Sequence, residues 1–270
     1  MSTPAINQIY SFPTEFIENL HVLLSGNLLL STFRSPGVLY TLDPTAAEPL
    51  TEPVTRLGDD ITGLTGIVHL AGDLGAGSMK LFIVSLQTGR IVDSIPVPDT
   101  ASMNGLAVLP HNSHTVISAD SDDGRIFAID IRNREVAVIL DDAALGASNY
   151  NSSSGLPPIG IDGLRTRGDY IYFTNSAQGT FSRIRVDENG KRTSEFKILA
   201  QSPSASQIYD DFTFDHEGNA YIAVHSSSVI KITPDGVQAI IASSESGDVA
   251  FKEPTSVALA NDGKSIYVVT

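Results

Sequence analysis

The sequence predicts an all-β fold, a six-bladed β-propeller built from four-stranded antiparallel blades. Three observations predict it: the apolar runs are short, tight-turn residues separate them, and a pattern repeats roughly every 40–50 residues. The chain has 270 residues, and we interpret it as one domain, residues 1–270, because all-β chains of this length are often single domains.

The apolar runs have the length and composition of β-strands. They are rich in Val, Ile, Leu, Phe and Tyr, and Gly, Asn, Asp or Pro follows them. Clear examples are residues 27–33, 115–119, 170–174, 220–224 and 265–269. Residues 188–190 and 234–236 have the composition of tight turns between such runs. We therefore expect hairpins and meanders and no long helix.

The repeat divides the chain into blades. Each repeat opens with a polar residue, and from Asn104 onward these openers lie 45–58 residues apart. The longer gap between Glu18 and Asn104 holds one more repeat, with Thr62 as its candidate opener. The blades are therefore predicted to start near residues 18, 62, 104, 162, 210 and 255. Since the sequence stops at Thr270, inside a second strand, the last blade is expected to be incomplete. Either a partner supplies the missing strands or the sequence is truncated, and truncation is the simpler explanation.

The openers are predicted to converge, because the first strand of every propeller blade faces the central channel. Carboxylates that meet there would repel each other unless a cation or a proton lay among them. Ca²⁺ prefers carboxylate and amide oxygens, so it is the candidate cofactor, and no organic cofactor is expected. The candidate metal ligands are Glu18, Asp162 and Asp210. The alternative is that these residues are ordinary solvated turn residues at a rim.

The ends of the second strands supply further candidates around the same channel mouth. His225 is a candidate proton donor or acceptor, since histidine titrates near neutral pH, although an ordinary rim histidine is the alternative. With the openers Asp210 and Asn104, His225 makes up the candidate catalytic residues. The candidate substrate-binding residues are Asn175 and Asp120, which also end second strands, and the opener Thr255. The small, polar segment 144–159 is interpreted as a lid over the channel, with a disordered surface loop as the alternative.

Composition excludes several partners and chemistries. The formal net charge of −14 opposes binding to nucleic acid and to anionic membranes, which leaves a small molecule as the expected partner. The absence of cysteine excludes disulfides, thiolate zinc sites and a cysteine nucleophile. No membrane-spanning apolar stretch or secretory signal is visible, so the cytoplasm is the default location, with secretion left open.

Segments 160–179, 210–219 and 253–257 resemble the SMP-30/gluconolactonase/luciferin-regenerating-enzyme-like six-bladed propellers, especially their fungal branch. The resemblance implies that Glu18, Asp162 and Asp210 bind a cation and that Asn104 contacts substrate or water. It also implies that Asp210 acts as a base for water in metal-dependent lactonases. Asp162 departs from the Asn expected there, which either tightens metal binding or indicates a pocket with another function.

Three functions follow as hypotheses. The first is a fungal-type secondary-metabolite enzyme that performs a cyclisation, since some relatives are hetero-Diels–Alderases that join a quinone-methide-type polyketide to a terpene alkene. The second is a Ca²⁺-dependent lactonase or ester hydrolase. The third is a non-catalytic propeller that binds a ligand or a protein. The sequence does not specify the substrate.

Overall fold

The computed structural model describes residues 5–58, 61, 63–70, 73–77, 79–148, 158–204, 206–225, 227–244 and 252–270. These residues form strands, turns and loops, with no helix among them. They build five four-stranded antiparallel sheets and one two-stranded sheet. In every sheet the strand order follows the chain, which is the meander of a β-propeller blade. The predicted all-β propeller fold with four-stranded blades is confirmed, whereas the number six stays a prediction.

The first three sheets are β1 (Ile17–Val22), β2 (Leu28–Thr32), β3 (Val38–Leu42) and β4 (Thr51–Arg56); β5 (Ile67–His69), β6 (Asp73–Gly77), β7 (Lys80–Ser85) and β8 (Ile91–Pro96); and β9 (Met103–Leu109), β10 (Asn112–Asp120), β11 (Arg125–Asp130) and β12 (Glu135–Asp141). The last three are β13 (Ile161–Arg167), β14 (Tyr170–Asn175), β15 (Thr180–Arg185) and β16 (Lys197–Gln201); β17 (Ile208–Phe214), β18 (Ala220–His225), β19 (Ser228–Ile232) and β20 (Gln238–Ser243); and the pair β21 (Ser256–Leu259) and β22 (Ile266–Val269).

The chain forms two compact units, the first from Met1–Leu64 with Asp210–Thr270 and the second from Thr65–Tyr209. In the first unit, β22 packs on both faces because strand side chains alternate. Its Tyr267 and Val269 contact the core of the β1–β4 sheet, and its Ile266 and Val268 contact the core of the β17–β20 sheet. The sheet that was expected to be incomplete is therefore integrated into the apolar core of its unit.

In the second unit, glycines allow neighbouring first strands to approach closely. A Cβ at Gly105 would lie 2.5 Å from the backbone oxygen of Asp162 and 2.5 Å from the backbone nitrogen of Leu164. A Cβ at Gly66 would meet the backbone nitrogen of Leu106 at 2.7 Å. Contacts this short are sterically forbidden, so only glycine fits at both positions. The spacing places the openers of β9 and β13 next to each other.

In the second blade, Thr65 precedes a closely packed glycine, Gly66, as Asn104 precedes Gly105 in the third. The Thr65 hydroxyl donates to the Met103 carbonyl at 2.8 Å. The start of this blade near residue 62 stays a prediction. Thr62 lies outside the described residues, as does most of the predicted lid, since residues 149–157 are not described.

The predicted turns are present where they were expected. Gly190 and Gly236 have φ values of +78° and +89°, a backbone conformation that side-chain-bearing residues rarely adopt. The described part of the chain contains no helix long and apolar enough to cross a membrane.

Candidate functional site

Asp210 and His225 form a buried pair in the first unit. Asp210 lies in β17 and is 6% exposed, and His225 is the last residue of β18, the neighbouring strand. The Asp210 Oδ2 atom and the His225 Nε2 atom are 2.5 Å apart, so one hydrogen bond joins the carboxyl group to the imidazole. The structure thus brings together two of the three residues that the sequence predicts to be catalytic.

The surroundings of Asp210 favour its protonated form. Burial raises the pKa of Asp210 well above its ordinary value of 3.8, and the negative charges of Glu18 and Asp211 raise it further. The other ring nitrogen, His225 Nδ1, is buried and has no hydrogen-bond partner among the described residues. The pair therefore has a short carboxyl–imidazole hydrogen bond on one side of the ring and a buried nitrogen without a hydrogen-bond partner on the other.

A buried polar cluster that sequence reasoning missed lies beside this pair. The Oδ2 atom of Asp211 accepts hydrogen bonds from Asn19 Nδ2 at 2.9 Å and from Ser256 Oγ at 2.7 Å. Each residue directly follows a predicted opener in the sequence, and all three are at least 97% buried. The available signal was a polar residue after these three openers, where the other three are followed by glycine. The cluster ties β1, β17 and β21 together.

Thr255, a candidate substrate-binding residue, belongs to the same set of contacts. Its hydroxyl donates to the Ile17 carbonyl at 2.9 Å, and its own carbonyl accepts from the Asp211 amide at 3.2 Å. Thr255 is buried and fastens β21 to its neighbours. Its assignment to substrate stays a prediction.

In the second unit, Asn104 and Asp162 are brought together. The Asn104 Nδ2 atom donates to Asp162 Oδ1 at 2.6 Å, and Asp162 Oδ2 lies 2.6 Å from the hydroxyl oxygen of Ser176. That hydroxyl oxygen is also 2.8 Å from the Tyr209 carbonyl oxygen. Sequence reasoning missed Ser176, although it lies in segment 160–179, which carries the family resemblance, and directly follows β14.

Asp120 and Asn175 each organise a turn after a second strand. Asp120 is fully buried, and its Oδ2 atom pairs with Arg125 at 2.6 Å. The Asn175 amide donates to the carbonyls of Ala144 and Gly146 at 3.1 Å and 2.9 Å. Both side chains therefore have clear structural roles, and their contact with a substrate stays a prediction.

The predicted Ca²⁺ site can be tested against these contacts. Glu18 and Asp210 interact within the first unit, whereas both carboxylate oxygens of Asp162 already have side-chain partners within the second. Over the described ranges, no group of three or more His, Cys, Asp or Glu residues is arranged to hold a metal ion. Ca²⁺ needs about six to eight oxygen ligands. The described side chains do not form such a shell.

Comparison with known proteins shows which family this chain is similar to. The profile described as "SMP-30/Gluconolactonase/LRE-like region" matches residues 163–270, which include Asp210 and His225. The predicted resemblance is confirmed. Two fungal relatives carry a provisional assignment as hetero-Diels-Alderases. One, from Phoma sp, is 23% identical over 94% of this chain and 83% of its own length. The other, from Sarocladium schorii, is 21% identical over 97% of this chain and 76% of its own length.

Solved structures share the fold at low sequence identity. Luciferin-regenerating enzyme superposes with a TM-score of 0.66 at 15% identity, over 94% of this chain and 84% of its own. The calcium-binding protein regucalcin from Agrobacterium tumefaciens superposes with a TM-score of 0.64 at 13% identity, over 93% of this chain and 80% of its own. These similarities concern the fold.

Proposed function

We propose that this chain is an enzyme of fungal-type secondary metabolism that acts on a small organic molecule. Its proposed reaction is a hetero-Diels–Alder cyclisation between a quinone-methide-type polyketide and a terpene alkene. The buried contact between Asp210 and His225 carries the proposal. The names of the two fungal relatives support the reaction class.

The reaction makes modest demands on a protein. One C–C bond and one C–O bond form together while three π bonds become one, and no proton is gained or lost overall. A protein accelerates such a step by holding the two reactants in a reactive orientation and by donating a hydrogen bond to the carbonyl oxygen of the heterodiene. A buried donor is effective because the low local dielectric strengthens its interaction.

The Asp210–His225 pair supplies such a donor. When the protonated Asp210 carboxyl donates a hydrogen bond to His225 Nε2 and keeps its proton, the hydrogen of the neutral imidazole resides on Nδ1. This atom has no partner among the described residues, so a substrate carbonyl can accept its hydrogen bond. His225 is then the group that contacts the substrate, and Asp210 fixes its tautomer and orientation. The third candidate, Asn104, donates to Asp162, and its catalytic role stays a prediction.

The test measures cycloaddition directly. A quinone methide is generated in solution with a terpene alkene, and the rate and the enantiomeric ratio of the product are compared with and without protein. We expect one enantiomer in excess, and a loss of about 100-fold in rate for His225→Asn, because one preorganised donor is removed. The matched control is His111→Asn, since His111 is exposed and its φ of +62° suits asparagine. The control should retain the parent rate.

Other outcomes would replace the proposal. Loss of all turnover in EDTA with recovery in Ca²⁺ would favour metal-dependent chemistry. Hydrolysis of lactones that Asp210→Asn abolishes would favour the hydrolase. Absence of turnover with both substrate classes would favour a binding protein.

A further inference from the structure

Basic side chains are concentrated in the β13–β16 sheet. Residues 161–201 contain seven of the 17 Lys and Arg residues but only five of the 31 Asp and Glu residues, so this segment is positive in a chain of net charge −14. Residues paired directly across strands share a face, as do alternate residues along a strand. The pairing therefore places five basic residues and two tyrosines on one face: Arg165, Arg167, Tyr170, Tyr172, Arg183, Arg185 and Lys197. The opposite face packs in the apolar core through Ile171, Phe173 and Ile184.

The two tyrosines hold Arg183 in position. Its Cζ atom lies 4.5 Å from the ring centre of Tyr170 and 5.9 Å from that of Tyr172, and its Nη1 atom donates to the Tyr172 hydroxyl at 3.1 Å. These contacts attract the guanidinium but bring no negative charge, because an aromatic ring and a hydroxyl are neutral. The Arg183 side chain is therefore positioned before any partner binds, which lowers the entropy cost of binding.

A second cation lies directly opposite Arg183. Lys197 is its cross-strand partner on β16, and like charges in this position repel each other. Within the described residues, neither side chain forms an ion pair with a carboxylate, whereas Arg185 pairs with Asp169 at 2.7 Å. Arg183 is partly exposed and Lys197 is exposed, so a negative group from outside can reach both.

The β17–β20 sheet has the same tyrosine–cation arrangement with a different balance of charge. Tyr221 is paired with Lys231, whose Nζ atom lies 5.6 Å from the ring centre. Lys231 lies opposite Ala239 on the outer strand, and the charges of Lys231 and Asp215 attract each other. The cation is therefore compensated in this sheet, whereas Arg183 has a second cation where Lys231 has an alanine.

We propose that Arg183 and Lys197 form a docking surface for an acidic segment of a partner protein, whose carboxylates contact both cations. A guanidinium held against a tyrosine ring presents its remaining N–H groups to a carboxylate in a fixed plane. A short acidic segment matches a patch of this size. A nucleic acid, with one negative charge per ~1.7 Å, would extend beyond it over an acidic surface. The docking surface does not depend on the proposed cyclisation, because neither residue belongs to the candidate functional site.

The test measures binding of a fluorescein-labelled hexaglutamate peptide to the intact chain by fluorescence anisotropy at low salt. We expect Arg183→Gln and Lys197→Gln each to weaken binding about fivefold, the upper end for one exposed ion pair, and added salt to weaken binding by the parent through screening. The matched control is Lys231→Gln, which removes the same charge from the compensated sheet and should retain the parent affinity. Equal Tm values for the parent and the three variants show that all are folded.

Three results would overturn the proposal. The first is a peptide that does not bind the parent, or that binds Arg183→Gln and Lys197→Gln as tightly as the parent. The second is an equal loss of affinity in Lys231→Gln, because binding would then follow net charge alone. The third is tighter binding of inorganic phosphate or of a single-stranded RNA hexamer than of the peptide, because the surface would then suit another class of anion.

Discussion

Asp210 and Asp162 have the same position in the sequence repeat, but their side chains contact different groups. Asp210 contacts an imidazole, with two further carboxylates nearby, whereas Asp162 contacts an amide and a hydroxyl. The neighbouring second strand ends at His225 in one case and at Asn175 in the other. His225 contacts Asp210, whereas the Asn175 amide donates to the Ala144 and Gly146 carbonyls, and Asp162 contacts Ser176, the residue after the strand. The group that an acidic opener contacts, an imidazole or a hydroxyl, therefore depends on the residues at the end of the adjacent strand.

The largest loss of stability is expected from a substitution that prevents the close approach of β9 and β13 at Gly105. A Cβ in Gly105→Ala would lie 2.5 Å from two backbone atoms, which cannot move aside as a flexible side chain would. We expect the free energy of unfolding to fall by about 3 kcal/mol, measured by denaturant titration. Gly146→Ala is the control in the same unit, because its new Cβ would have its nearest neighbour at 3.8 Å. A Gly105 variant as stable as this control would show that the spacing of β9 and β13 is not fixed by glycine.

A smaller effect is expected from the polar cluster beside Asp210. Asp211→Ala leaves the Asn19 amide and the Ser256 hydroxyl buried without their acceptor, which should cost about 2–3 kcal/mol of unfolding free energy. Ser256→Ala removes only one donor and should cost about 1 kcal/mol. Chemical denaturation of both variants measures the two losses of unfolding free energy. Similar costs for the two would mean that Asp211 is not the centre of the cluster.

The smallest expected effect is a gain in stability rather than a loss, and it follows from the raised pKa of Asp210. Because the pKa of Asp210 is raised in the folded state, the folded protein binds more protons than the unfolded chain above pH 3.8. The contribution of Asp210 to stability therefore falls as pH rises from 3.8 through its folded pKa. Asp210→Asn lacks this titration, so we expect a higher Tm than the parent at neutral pH and a gain that shrinks toward pH 4.

Tm measured across this pH range checks that prediction. A Tm difference between Asp210→Asn and the parent that stays constant from neutral pH down to pH 4 would contradict it.

Much of the fold was predictable from local patterns. Short apolar runs with turn residues between them predicted strands, because the period of a half-buried strand and the φ requirements of tight turns are local properties. The second blade is the hardest to delimit from sequence, because its repeat is degenerate and the role of Gly66 is visible only from the backbone atoms that a Cβ there would contact. The contact between Asp210 and His225 was partly predictable, because the sequence indicated both residues as candidates without showing that they touch.

The sequence by itself determined the all-β blades, the family resemblance and the set of acidic openers. Only the tertiary structure decided which opener meets a histidine, which meets a serine, and that Asp211, Asn19 and Ser256 form one buried cluster. The physical reason is that strand propensity and turn chemistry act over a few residues. Burial and hydrogen-bond partners, which set the protonation and hence the chemistry of a carboxyl, come from residues up to 192 positions apart in the sequence.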